Sequence, residues 1–305
     1  MAGPIRTMLT LVLTLAAAAA ASGALAQNGT ARVSYEGKTV LVTGSTDGLG
    51  RALALALAAE GAHVIVHGRN AARGQAVVDE ISAAGKGSGR FFAADFASLQ
   101  AVRAFADTIA AEYPRLDLLV SNAGIALGRS QPRRISTDGH ELQFAVNYLA
   151  GWVLVNRLRP NLAAAAPSRV INVASGSAHP IDFDDVMLER PGAHVRGYGQ
   201  SKLAQVSMTV ALAPRFAEDG ITMISLHPAT QMDTTMVKGL GVAPRTTVAA
   251  GRDHVLGLIT APTLEAGAFY IDGKPATPRS PQPADADARA RLVALSETLT
   301  GVPAR

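Results

Sequence analysis

The 305-residue chain has no cysteine, which excludes disulfides and thiol chemistry and leaves the redox compartment undecided. Charge is sparse: the formal balance is +4, and the basic residues are scattered rather than run together, so nucleic-acid binding gets no support. The seven histidines form no metal-ligand set. His63 and His67 stand four residues apart on an expected strand, about 13 Å along it and too far apart to share an ion. They read as ordinary core or surface residues. No internal repeat divides the chain, and its length suits one α/β domain of roughly 250 residues.

The first 26 residues differ from the rest. Arg6 precedes an apolar run, LTLVLTLAAAAAA from Leu9, and Ala24-Leu25-Ala26 stands before Gln27. That is the layout of a cleavable export signal, and it implies an exported, periplasmic protein. An uncleaved anchor that holds the domain at a membrane is one alternative, and a mis-assigned start with a cytoplasmic protein is another. No Arg-Arg pair precedes the run, so a twin-arginine route has no support. Residues 27–37 follow as an N-terminal segment.

From Lys38 a regular alternation begins. KTVLVTG, Lys38 to Gly44, is an apolar run that ends in a glycine turn, and Leu49 to Ala59 reads as a helix. Strands are expected at His63–His67, from Arg90, from Asp117, at Arg169–Ser175 and from Ile221. Helices are expected at Ala71–Ala83, Leu99–Glu112, through Asn147 to about Leu162, and from near Tyr198. Strands apolar almost throughout imply a parallel sheet covered on both faces. The expectation is a doubly wound, three-layer αβα Rossmann fold over residues 38–273, with its ligand crevice at the carboxyl ends of the strands. Residues 274–305 read as a surface arm, with Pro275, Pro278, Pro281 and Pro283, before a final helix around Arg289 to Thr300.

The turn Thr43-Gly44-Ser45-Thr46-Asp47-Gly48-Leu49-Gly50 spaces its glycines G-x-x-x-G-x-G between a strand and a helix. Missing side chains let backbone N–H groups and a helix N-terminus approach a pyrophosphate. Glycine spacing alone is weak; the flanking strand and helix strengthen it. The second strand ends in His67-Gly68-Arg69-Asn70, without the acid that would bond a ribose 2′-hydroxyl. Arg69 could face a 2′-phosphate, which favours NADP, with NAD as the alternative. Asp47 in the turn is no base and counts against that preference.

Further along, Tyr198 and Lys202 stand one helical turn apart on one face, and Ser175 ends a strand. A phenol has a pKa of about 10, and a nearby cation would favour its ionised form. A Tyr and a Lys at this spacing also fit a solvated surface; Ser175, able to bond a substrate oxygen as charge develops, shifts the reading towards chemistry.

These motifs, TGSTDGLG, Asp95, Ser121-Asn122-Ala123-Gly124, Asn147, Ser175 and Tyr198-x-x-x-Lys202, resemble in order those of the short-chain dehydrogenase/reductase family. The resemblance runs from about Lys38 to about Gly273. NYLAGWVLVNRLRP, SRVINVASGSAH and YGQSKLAQ look like its retinol dehydrogenase and protochlorophyllide reductase side. It implies catalytic roles for Asn147, Ser175, Tyr198 and Lys202. It also implies cofactor contacts from Gly44, Ser45, Thr46, Asp47, Gly48, Leu49 and Gly50, from Arg69, Asp95 and Phe96, from Asn122, Ala123 and Gly124, and from Tyr198, Lys202, Pro228 and Thr230. Asp95 would meet the adenine, and Asn147 would link through water to Lys202.

The chain departs from the family at SNAG, where NNAG is usual, and at Pro228-Ala229, where Pro-Gly is usual; which of Thr230, Thr234 and Thr235 meets the nicotinamide stays open. Ser175 and Tyr198 lie further apart than is common, so AHPIDFDDVMLERPGAHVRG is expected to form an extra loop over the site. Its Asp182, Asp184, Asp185 and Glu189 read as solvated rather than metal-binding.

The activity implied is NADP-dependent hydride transfer between a carbonyl and an alcohol, with Tyr198 as general acid/base, on a small molecule that by analogy is apolar or bulky. A non-catalytic NADP-binding regulator or scaffold is the alternative. The intact set of four argues against it. Family resemblance also allows a homodimer or homotetramer paired through the helices that carry Asn147 and Tyr198.

Overall fold

The computed structural model describes residues 34–304, and the expected export signal lies outside the described residues. The strand and helix alternation is present from β1 (Thr39–Val42) and α1 (Gly48–Ala59) through β2 (His63–Gly68), α2 (Ala71–Ala84), β3 (Ser88–Ala93), α3 (Leu99–Glu112) and β4 (Leu118–Ser121). Asp47, Asn70 and Ser98 cap the three helices by accepting backbone N–H groups, which sets each start.

The helix expected to run unbroken through Asn147 to Leu162 is divided. A short turn at Leu142–Phe144 leads into a π turn at Ala145–Leu149, then α4 (Ala150–Arg157) and α5 (Arg159–Ala164). Pro160 lies in the first turn of α5, where its missing N–H does no harm but would break a continuous helix. The remaining elements are β5 (Ser168–Val173), α6 (Gly197–Glu218), β6 (Ile221–His227), α7 (Thr235–Gly239), α8 (Val248–Thr260), β7 (Phe269–Ile271), β8 (Lys274–Ala276) and α9 (Ala286–Thr300).

The sheet runs β3-β2-β1-β4-β5-β6-β7-β8, parallel except for the last pair. The order reverses between β1 and β4, which opens the crevice where the turns after both strands meet. Strand side chains alternate between two apolar layers. Leu41, Ile65 and Leu119 join one with Trp152, Leu203 and Phe216; Val40, Val42, Val64, Val66 and Val120 join the other with Leu53, Leu57 and Val255.

The structure revises the reading of the C-terminal stretch. Lys274–Ala276, placed by sequence in the arm, pairs antiparallel with Phe269–Ile271 through a turn in which Asp272 and Gly273 both take positive φ, 48° and 77°. This is the two-residue hairpin geometry that fits strand twist. Beyond it the chain packs back on the domain. Gln282 exchanges hydrogen bonds of 2.7 and 2.9 Å with the Ile181 backbone. In α9, Leu292 is buried, Ser296 Oγ bonds the Tyr148 hydroxyl at 2.6 Å, and just beyond it the Val302 carbonyl accepts from Trp152 Nε1 at 2.9 Å. The chain's own last helix therefore lies against α6 and the Asn147 turn. No helix among the described residues is long and apolar enough to cross a membrane.

Candidate active site

The phosphate turn is braced from behind. Thr43 Oγ1 accepts the N–H groups of Asn122 and Ala123, each at 2.9 Å, and Asn122 Nδ2 donates to the carbonyls of Thr43 and Gly44 at 2.8 and 3.3 Å. A Cβ on Gly50 would fall 2.2 Å from the Gly44 carbonyl oxygen, and Gly44 itself takes φ +65° with Ala123 Cα against it. No larger residue fits either position, so the backbone of the turn stays bare towards the N-terminus of α1. Leu49 is buried beneath this turn.

His67 completes the brace. It is buried at the end of β2, and its Nδ1 accepts the Gly44 N–H at 3.0 Å. The other ring nitrogen, Nε2, then carries the proton and donates to the Ala94 carbonyl at 3.2 Å. The imidazole stacks on Phe96, with ring centroids 4.1 Å apart. Burial lowers its pKa from 6.5 to about 4. The sequence signal for this role is a polar side chain within an otherwise apolar strand, a signal that an ordinary core histidine shares.

These contacts also take up the side chains of two residues expected at the cofactor, which leaves only their backbone towards it. Ser45 is fully buried, with its hydroxyl accepting the His67 N–H at 2.9 Å, so its side chain braces the turn and does not line the crevice. Phe96 is buried against His67 and Phe105 and likewise faces the core.

Arg69 and Asp95 come together at the expected edge, Nη1 to Oδ1 3.9 Å, both well exposed. Arg73, in the first turn of α2, reaches Asp47 at 3.7 Å, and with Thr46 and Arg51 it lines a cavity of about 400 Å³. Arg51 also pairs with Glu80. Sequence reasoning missed Arg73, although its place in the first turn of the helix that follows Arg69 is a signal for a second cation near that strand end.

At the other end, Ser175, Tyr198 and Lys202 converge. Ser175, two residues beyond the end of β5, is buried and hydrogen-bonds the Tyr198 phenol. Burial pushes the phenol up from its usual range, and the bond with Ser175 pulls it back. Lys202 Nζ stands 5.7 Å from the Tyr198 ring centroid. It donates to the Val173 carbonyl at 2.8 Å and to Gln205 Oε1 at 2.9 Å, and burial lowers it to about 7. In this structure burial therefore dominates both groups, where the sequence suggested that the lysine charge would dominate the phenol.

Asn147 sits in the π turn, an insertion that often marks functional positions in helices. Its amide is fully used: Oδ1 accepts the Ile125 N–H at 2.7 Å, and Nδ2 donates to the Ile125 carbonyl and to Ser201 Oγ. A Cβ on Gly124 would stand 3.3 Å from Asn147 Oδ1 and 3.5 Å from Lys202 Nζ, so glycine keeps open the space all three share.

The loop after β6 sends the three threonines to different partners. Thr235 Oγ1 donates to Asp47 at 2.8 Å, and Thr234 packs on Gly48, which places both over the phosphate turn. Thr230 bonds His227 Nε2 at 3.1 Å, and the neighbouring Pro228 carbonyl meets His254 Nδ1 at 2.7 Å. The segment between Ser175 and Tyr198 is a packed loop with Ile181, Val186 and Leu188 in or near the core. Its acids are matched by Arg190 and Arg196 on Asp182, Arg291 on Asp184, Arg133 on Glu189, and backbone N–H groups on Asp185.

A glycine-lined, N–H-rich turn at one end and a Ser, Tyr and Lys set at the other fit a dinucleotide laid across the sheet. The comparisons agree. The family model described as short chain dehydrogenase matches residues 38–243. Human retinol dehydrogenase 13 is 32% identical over 294 residues, covering 90% of this chain and 87% of that protein. A candidate daunorubicin C-13 ketoreductase from Streptomyces sp. (strain C5) is 35% identical, covering 92% and 98%. Among solved structures, an uncharacterised Mycobacterium paratuberculosis protein superposes with TM-score 0.71 at 28% identity, covering 89% of this chain and 96% of that one. The chain belongs to the short-chain dehydrogenase/reductase family, on its retinol dehydrogenase side: a nicotinamide-dependent oxidoreductase acting between CH–OH and C=O.

Proposed function

We propose that the protein interconverts an apolar or bulky carbonyl compound and its alcohol with NADP, using Tyr198 as the proton donor and acceptor. The observation that carries this is the convergence of Ser175, Tyr198 and Lys202 at the mouth of a braced dinucleotide crevice. When bound, the nicotinamide supplies the hydride in reduction and accepts it in oxidation. As the carbonyl carbon gains hydride, its oxygen takes the Tyr198 proton; oxidation returns the proton to the phenolate. Ser175 holds that oxygen as charge develops, and Lys202 supplies the positive charge beside the phenol.

The preference for NADP rests on Arg69 and Arg73, two exposed cations beside the end of β2, where the strand is followed by Arg69 and not by an acid. The names of the retinol dehydrogenase and ketoreductase relatives support a bulky substrate. We infer further that the protein acts as a single chain, because α9 covers the helices through which pairing was expected.

Tyr198→Phe tests the central claim. It is expected to abolish turnover over a panel of aldehydes, ketones and alcohols while binding NADPH as the parent does; substantial retained activity would refute the role of the phenol.

A further inference from the structure

Lys202 is buried on α6, and its ammonium has three donors. Two of them are engaged inside the protein, one by the Val173 carbonyl on β5 and one by Gln205 Oε1, three residues further along the same helix. Among the described residues, the titratable side chain that faces Lys202 is Tyr198, one turn earlier on α6. From β5 the ammonium meets only a backbone carbonyl, and from the π turn and the Gly124 loop it meets the uncharged Asn147 amide across shared space. Among the described residues no carboxylate balances the charge; carbonyl-type oxygens do.

Gln205 is 1% exposed, and its Nε2 has no hydrogen-bond partner. Asn172 Oδ1 and Ser225 Oγ, at matched positions of β5 and β6, are buried without partners as well. A half-paired amide in a dry interior is destabilising, and an apolar side chain of similar size would avoid the penalty. Packing therefore does not account for Gln205. What its amide adds is a neutral acceptor aimed at Lys202, since a hydrogen bond to a charged donor is stronger than one between neutral groups.

We propose that Gln205 is a positioning residue for this site: with the Val173 carbonyl it holds the Lys202 ammonium against the floor of the crevice, leaving one N–H for the ligand. The proposal rests on the reading of Lys202 as the charge beside Tyr198. A neutral acceptor secures the ammonium without cancelling its field at the phenol, which a carboxylate in the same place would do.

The test uses the full chain without cofactor. The sequence contains only Lys38, Lys86, Lys202, Lys238 and Lys274, so the Lys202 side chain can be assigned by NMR with a Lys202→Arg control and its pH midpoint followed directly. Gln205→Met keeps the shape and removes the acceptor; the midpoint is expected to fall by about one pH unit. Gln205→Glu places a carboxylate there, and the midpoint is expected to rise. If Gln205→Met fails to fold, the rise in Gln205→Glu carries the test. Midpoints unchanged in folded variants would overturn the proposal.

A second readout is the pH profile of kcat for carbonyl reduction, whose limb is expected to shift in Gln205→Met with the same sign as the Lys202 midpoint. A moved midpoint with an unmoved profile would instead overturn the reading of Lys202 as the tuning charge, and with it any bearing of Gln205 on catalysis.

Discussion

His67 Nδ1 accepts the backbone N–H of Gly44 at 3.0 Å, which joins the end of β2 to the phosphate turn and requires an uncharged imidazole. Protonation would turn the acceptor into a donor facing a donor.

The first prediction concerns acid stability. Above pH 6.5 His67 is neutral in both folded and unfolded chains. As pH falls below 6.5 the unfolded chain gains a proton that the folded one refuses until about 4. Stability is expected to drop by about 1.4 kcal/mol per pH unit across that window. Urea midpoints at pH 7, 5.5 and 4.5 measure it, and a His67→Leu variant should show a shallower dependence. Equal slopes for the two proteins would remove His67 as the cause.

A second prediction addresses the cofactor. Arg69→Ala and Arg73→Ala are each expected to weaken NADPH binding by about tenfold while changing NADH binding little, the loss of one charge-assisted contact with a phosphate. Titration calorimetry with both nucleotides decides. An unchanged NADPH to NADH ratio in both variants would mean that the 2′-phosphate is not recognised here.

The direction of the reaction should depend on pH. A phenol raised by burial keeps its proton at neutrality, and Lys202 keeps its charge below about 7. Carbonyl reduction, which needs both protonated, is expected to be fastest at or below neutral pH, whereas alcohol oxidation should climb as the phenol ionises. Initial rates in both directions from pH 5.5 to 9 check this; parallel profiles would contradict it.

The C-terminal helix gives the fourth prediction. Leu292→Ala removes a buried contact between α9 and the layer below and should cost about 2–5 kcal/mol in urea unfolding. Light scattering on the parent protein is expected to give the mass of one chain. A stable dimer would mean that pairing avoids the face that α9 covers.

The layered fold was legible because its signals are local. Strands apolar on both faces announce a covered parallel sheet, and Asp47, Asn70 and Ser98 cap their helices within three residues. The edge hairpin was equally present, as Asp272-Gly273 between two short runs, yet Pro275 argued against a strand. An edge position tolerates it, because one side of an edge strand has no neighbour to receive an N–H, and a proline there breaks no ladder bond.

The site divides along the same line. Tyr198 and Lys202 were readable from their spacing on one helix, but the contacts of Lys202 with Val173 and of Thr235 with Asp47 join residues 29 and 188 positions apart. The side-chain contacts of Ser45 and Phe96 with His67 are illegible for the same reason, since they too join residues distant in the chain.

Sequence alone thus established the order of strands and helices, the bare phosphate turn and the Tyr and Lys pair, all features carried by nearest-neighbour geometry and by the absence of side chains. Tertiary structure decided which polar groups are dry. Only the packed fold buries Lys202 and His67 and half-buries Tyr198, and desolvation, more than the identity of the neighbouring residue in the chain, sets their protons.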